Sequence, residues 1–101
     1  MLFAFSVAPV ASGSEDGSVH EAVAEAVSIV RASGLPNETS SMFTTIEGEW
    51  DECMEVIKRA TEAVAQYGSR VSLVLKADIR PGVEPGQITS KVQRLEKAIK
   101  G

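Results

Sequence analysis

The sequence predicts an α+β domain: an antiparallel sheet with its main helices on one face. Three observations lead there. Segments with two-residue apolar alternation and segments with three-to-four-residue apolar spacing succeed one another in the order βαββαβα. The switches fall at Gly, Pro or Ser clusters, where a chain turns. The length, 101 residues, suits a single domain over residues 1–101, and a chain of this size buries roughly 60–68% of its unfolded surface.

Leu2 to Ala8 is short, apolar and aromatic-rich, and reads as a strand ending at Pro9. Phe3, Phe5 and Val7 share one face; Ala4, Ser6 and Ala8 share the other. The same stretch has the apolar run of a short signal peptide, but it lacks basic leading residues and Pro9 interrupts it, so a buried strand is expected. The polar loop ASGSEDGS follows. Ser18 is placed to cap a helix from Val19 to Ala32, with Glu21 completing a capping box. Val19, Val23, Ala26, Val27 and Val30 form that helix's apolar stripe. Gly34 and Pro36 end it.

Asn37 to Ser41 is a polar strand suited to an edge, and Met42 to Glu47 a second strand in which Thr44 and Ile46 alternate with Phe43, Thr45 and Glu47. A second helix from Trp50 to Tyr67 carries Trp50, Cys53, Ile57, Ala60, Val64 and Tyr67 on one face, and Gly68 closes it. Arg70 to Ile79 alternates cleanly, Val71, Leu73 and Leu75 against Ser72, Val74 and Lys76. After the turn-rich RPGVEPGQ, a last helix from Ile88 to Lys100 shows Ile88, Val92, Leu95 and Ile99 in a stripe, with Lys91, Arg94, Lys97 and Lys100 on its solvated face.

Two βαβ halves with right-handed crossovers fold as a ferredoxin-like βαββαβ plait, here with an extra C-terminal helix. Phe3, Phe5, Val7, Ile46, Val71, Leu73 and Leu75 are expected under the helices. Ser6, Phe43, Thr45, Glu47, Ser72, Val74 and Lys76 are expected on the open sheet face. That face is half apolar, so a homo-oligomer, dimer or tetramer, is expected.

Composition excludes several classes. A net charge of −4 opposes general nucleic-acid binding, which needs a basic face. No run approaches the ~18 apolar residues of a membrane helix, and the expected location is the cytoplasm. Cys53 is the only cysteine and lies on an apolar stripe, while the only histidine, His20, sits at another helix start, so no thiol–imidazole pair is signalled. No metal-ligand cluster and no phosphate loop of the GxxxxGK type occurs. Neither catalytic residues, metal nor cofactor are expected.

The stretch TTIEGEWDE, Thr44 to Glu52, concentrates four acids around the only tryptophan. Asp51 and Glu52 fall in the first turn of a helix, where negative charge suits the macrodipole, and Glu49 lies at the cap. Glu47 differs: on the open face beside Ser6, Thr45 and Lys76, it either accepts hydrogen bonds from a ligand or pairs with Lys76. Trp50 either caps the core or walls a ring ligand.

Several stretches together, SVAP at 6–9, SVHEAVAEAV at 18–27, SGLP at 33–36, IEGEWDE at 46–52 and RVSLVLKAD at 70–78, resemble the YkoF-like thiamine-binding family over nearly the whole chain. The resemblance implies a ferredoxin-like fold, dimers assembling into tetramers, no catalytic activity, and binding of thiamine or its hydroxymethylpyrimidine moiety. The candidate site residues are then Ser6, Thr45 and Glu47 for polar contacts, Phe43 or Trp50 as an aromatic wall, and Lys76 to orient Glu47. Phe43 stands where the family usually carries a small residue, and its ring either stacks on a ligand or fills the pocket. Ala22 stands where relatives often carry an aromatic. The alternative is a structural or regulatory module whose open face serves assembly alone.

Overall fold

The structure, a computed structural model, describes residues 1–10, 16–83 and 85–100. Its elements are β1 (Leu2–Val10), α1 (Asp16–Ala32), β2 (Asn37–Thr39), β3 (Thr44–Glu47), α2 (Trp50–Val64), a 3₁₀ turn (Ala65–Tyr67), β4 (Arg70–Asp78) and α3 (Gln87–Lys100). The four strands are antiparallel in the order β2-β3-β1-β4. This is the predicted α+β plait with a C-terminal helix.

β1 is the central element. Phe3, Phe5 and Val7 are buried under the helices together with Thr44 and Ile46 of β3, because facing residues of antiparallel strands share a side and Phe3 faces Ile46 while Phe5 faces Thr44. Cys53, Val56, Ile57, Ala60 and Val64 of α2 close the core from above. Leu73 and Leu75 also lie on the helix side, opposite Val7 and Phe5, yet are 42% and 39% exposed. β4 is an edge strand, and of its helix-side residues Val71 packs against the core while Leu73 and Leu75 reach beyond the helix layer.

α1 departs from the expected pattern in two ways. It starts at Asp16 rather than Val19, so Ser18 lies inside the helix and not at its cap. The rest of the ASGSEDGS loop, residues 11–15, lies outside the described residues. The buried stripe is Ala22, Ala26 and Val30, while Val19 and Val23 are exposed. Alanines at i and i+4 let α1 pack closely on α2, whose facing residues include Ala60. The expected strand from Met42 also shortens. Ser40 accepts the Phe43 N–H through its Oγ and donates to the Phe43 carbonyl, at 3.3 and 3.0 Å, so residues 40–43 form a turn and Phe43 lies before the strand. α2 relaxes into the 3₁₀ turn, where Tyr67 Oη donates to Glu25 Oε1 at 2.6 Å and ties the turn to α1.

β1 runs through Pro9 to Val10, two residues past its expected end. The Met1 carbonyl accepts the Gly48 N–H (3.1 Å). Alternation along the strand then turns the N–H and C=O of odd-numbered residues toward β3 and of even-numbered ones toward β4. Pro9, an odd position, therefore costs no ladder bond to β4, although it stands in register with Val71.

Candidate functional site

The acidic stretch resolves into separate tasks. Glu52 reaches back to the Glu49 N–H (2.8 Å), and the Glu49 carbonyl accepts the Cys53 N–H (3.0 Å), so the start of α2 is capped from within. Gly48 is required beside it: a Cβ there would stand 2.7 Å from Glu52 Oε1 and 3.0 Å from Cys53 Sγ. Burial first, then the Glu52 carboxylate, pushes the Cys53 thiol up to about 11, leaving it protonated and unreactive near neutrality. Trp50 packs edge-on to Phe3, ring centroids 5.8 Å apart, on the helix side of the sheet. It is half exposed and remote from the open face.

Glu47 is 95% buried, since its relative exposure is 5%. Its Oε2 accepts the Gln87 N–H (2.9 Å) and its Oε1 the Ile88 N–H (3.2 Å). The residue before α3 is Gly86, held at φ +94° and lacking a capping side chain. Glu47 supplies the missing acceptor from another element, and the carboxylate also suits the helix dipole. The expected Glu47–Lys76 pair does not form. In register, Glu47 lies across Leu2 from Asp78, whereas Lys76 lies across Ala4 from Thr45. Among the described residues the one ion pair is Lys91–Asp78, 2.6 Å, at the same end of α3; that hydrogen bond holds the Asp78 carboxyl below its usual range. Lys76 is exposed on β4.

The candidate residues therefore divide among places. Thr45 lines a cleft of about 170 Å³ between the open face and α3, with Leu2, Glu38, Ile88 and Lys91. Glu47 borders a cleft of about 230 Å³ shared with Met1, Gly48 and Pro85. Ser6 and Phe43 meet at a third cleft, about 190 Å³, also lined by Val7, Val23, Val27 and Ser40.

This third cleft has a structural cause. β3 pairs with β1 only as far as Thr44 opposite Phe5, while β4 continues to pair up to Val10. From Ser6 onward β1 thus has a free edge on the β3 side. The turn at 40–43 swings over that gap, and α1 walls it with Val23, Ala26 and Val27. The described lining is apolar and uncharged-polar: Phe5, Phe43 and Met42 with Ser6, Thr39, Ser40, Ser41 and Thr44, and among the described residues no Asp, Glu, Lys, Arg or His. Such walls suit a flat neutral ring with a few hydrogen-bonding groups. The contributions of β1's free edge and of α1 were missed in the sequence, though Pro9 inside a strand was a readable sign of that edge.

Among the described residues no group of three or more His, Cys, Asp or Glu is placed to hold a metal ion, and no helix is long and apolar enough to cross a membrane.

The family model described as "Thiamine-binding protein" matches residues 3–96. The UPF0045 protein Mb1933 of Mycobacterium bovis is 51% identical over 98 residues, 96% of this chain and 92% of its own. A structure of a domain of unknown function, DUF77, from Bacillus cereus superposes with TM-score 0.75 at 33% identity, covering 89% of this chain and 86% of that one. A Thermotoga maritima structure, provisionally described as a thiamine biosynthesis/salvage protein, superposes with TM-score 0.73 at 28% identity over 90% of this chain and 96% of its own. With a family model spanning most of its length and a half-identical relative aligned nearly end to end, this chain belongs to the thiamine-binding protein family.

Proposed function

We propose that the protein is a non-catalytic binding protein for thiamine or its hydroxymethylpyrimidine moiety, and that the ligand's pyrimidine ring enters the cleft of Ser6 and Phe43. The carrying observation is the character of that cleft: a space of about 190 Å³ with aromatic and aliphatic walls, serine and threonine hydroxyls, and no charged side chain among the described residues. Pockets for drug-sized ligands run to about 300–1,000 Å³, so this one suits a single substituted ring. Family membership and the salvage description of the Thermotoga maritima relative support the same ligand class. The described lining residues include no base and no electrophile-stabilising cation, which favours binding over catalysis. In this reading Thr45, Glu47 and Lys76 are not ligand contacts. Calorimetric titration of thiamine and of free hydroxymethylpyrimidine tests the reading, with Phe43→Gly beside the wild type. Saturable binding that Phe43→Gly alters supports it. Silence from both proteins refutes it.

A second reading concerns assembly, and exposed apolar side chains favour it. Val92, Leu95 and Ile99 on α3 are 53%, 59% and 70% exposed, and Leu73, Val74 and Leu75 line the uncovered β4 edge. These two surfaces suit self-association into the expected dimer or tetramer. Light scattering on the purified protein distinguishes an oligomer from a monomer, and a monomer at micromolar concentration contradicts this reading.

A further inference from the structure

The cleft contains more than side chains. The parity of β1 fixes which main-chain groups face it. Met1 accepts from Gly48 on the β3 side, so Phe3, Phe5, Val7 and Pro9 direct their N–H and C=O positions that way. Phe3 and Phe5 are opposite Ile46 and Thr44. Val7 is the next odd residue and has no β3 residue in register. Pro9, following it, has no N–H to offer. Among the described residues the free edge of β1 therefore presents one N–H, that of Val7, beside the C=O of the same residue, and Val7 lies in the cleft wall.

We propose that the Val7 main chain is the recognition element of this cleft, and that it selects a planar heterocycle carrying an exocyclic amine beside a ring nitrogen. The amine donates to the Val7 C=O and the ring nitrogen accepts from the Val7 N–H. An aminopyrimidine has this pattern; its oxo counterpart, with a ring N–H beside a C=O, reverses it. The inference rests on the binding reading above and adds to it the atoms that read the ring. An added peptide strand is the other occupant a free edge attracts. The geometry disfavours it. The edge is interrupted by Pro9, roofed by the 40–43 turn, and walled by α1. Phe43, Val23 and Val27 leave room for a ring.

The test is ¹⁵N-resolved NMR of the whole chain titrated with 4-amino-5-hydroxymethyl-2-methylpyrimidine, repeated with its 4-dimethylamino and 4-oxo analogues. The expected result is a saturating downfield shift of the Val7 amide proton with the amine. About tenfold weaker binding is expected with either analogue, since each removes or reverses the paired hydrogen bonds. Saturable binding with shifts centred on Thr45, Glu47 and Lys76 and an unmoved Val7 overturns the inference while leaving the binding reading intact. Equal affinity for all three compounds also overturns it. No saturable shift with any of them, or with thiamine, overturns the binding reading itself.

Discussion

Replacing Glu47 with alanine should free α3 while leaving the core in place. The carboxylate is nearly buried and accepts two main-chain N–H groups from the first turn of α3. Beyond that turn α3 has little hold on the body: residues 91–100 are all exposed, and among the described residues the one ion pair is the solvent-accessible Lys91–Asp78 pair. Hydrogen bonds to a charged group contribute about 1.5–3 kcal/mol each. Water replaces part of that once the helix end opens, so a net loss of about 1.5–3 kcal/mol for the two together is expected. At about 1.4 kcal/mol per factor of ten, amide exchange across residues 88–96 should accelerate roughly tenfold to a hundredfold. Phe3, Phe5, Val30 and Ile57 amides, under the main helices, should keep their protection. Gln87→Pro checks the same bond from the donor side. Proline is tolerated in the first turn of a helix and removes the N–H that reaches Glu47, while Gln87→Ala controls for the lost side-chain bond to Arg94. Unchanged exchange in α3 in both Glu47→Ala and Gln87→Pro would refute the reasoning. So would a uniform loss of protection, which would make Glu47 a support of the core instead.

Other outcomes follow from the same geometry. Glu47→Gln should leave pyrimidine affinity within about twofold, a change no larger than that of a surface substitution, because the proposed ring site is another cleft; isothermal calorimetry reads this directly. Gly48→Ala should cost about 1 kcal/mol, a Tm fall of about 4–8 °C by differential scanning calorimetry, since its Cβ forces Glu52 out of its bond to the Glu49 N–H. Cys53 should resist alkylation at pH 8. It should also make stability fall between about pH 9 and 11: the folded thiol titrates at about 11 against an ordinary value of 9.0, so the unfolded chain loses its proton first and is favoured as pH rises. Cys53→Ala should flatten that alkaline slope in denaturant titrations. Thiamine pyrophosphate should bind no tighter than thiamine, because the described cleft residues include no cation to receive phosphate; equilibrium dialysis of the two compounds decides it.

What the sequence revealed and what it hid have physical causes. Alternation in β1, β3 and β4 and the stripe of α2 reported the plait, because burial on one face imposes a period that survives in residue types. The same logic assigned Phe3, Phe5, Val7 and Ile46 to the core correctly. It placed Ala26 and Val30 in α1's buried stripe correctly but missed Ala22 and put Val19 and Val23 there: alanine carries a weak hydrophobic signal, and close helix packing prefers Ala22 over the larger valines. Pro9 looked like a strand end, since proline usually breaks a ladder. It breaks nothing where its nitrogen faces a free edge, and that edge depends on β3 stopping at Thr44, which no local pattern announces. Ser40's paired bonds to Phe43 likewise turn an apparent strand residue into a cleft wall. Glu47 was legible as a special acid on the open face. Its partner was not, because the need arises at Gly86, which has no side chain to cap α3.

The most direct measurement is a crystal structure of the protein with 4-amino-5-hydroxymethyl-2-methylpyrimidine bound. The account predicts the ring between Phe43 and the Val23–Val27 side of α1, its amine on the Val7 carbonyl and its ring nitrogen on the Val7 N–H, with Glu47 still holding the first turn of α3. A ring seated on the open sheet face beside Thr45 and Lys76, with Glu47 turned from α3 toward the ligand, would contradict it.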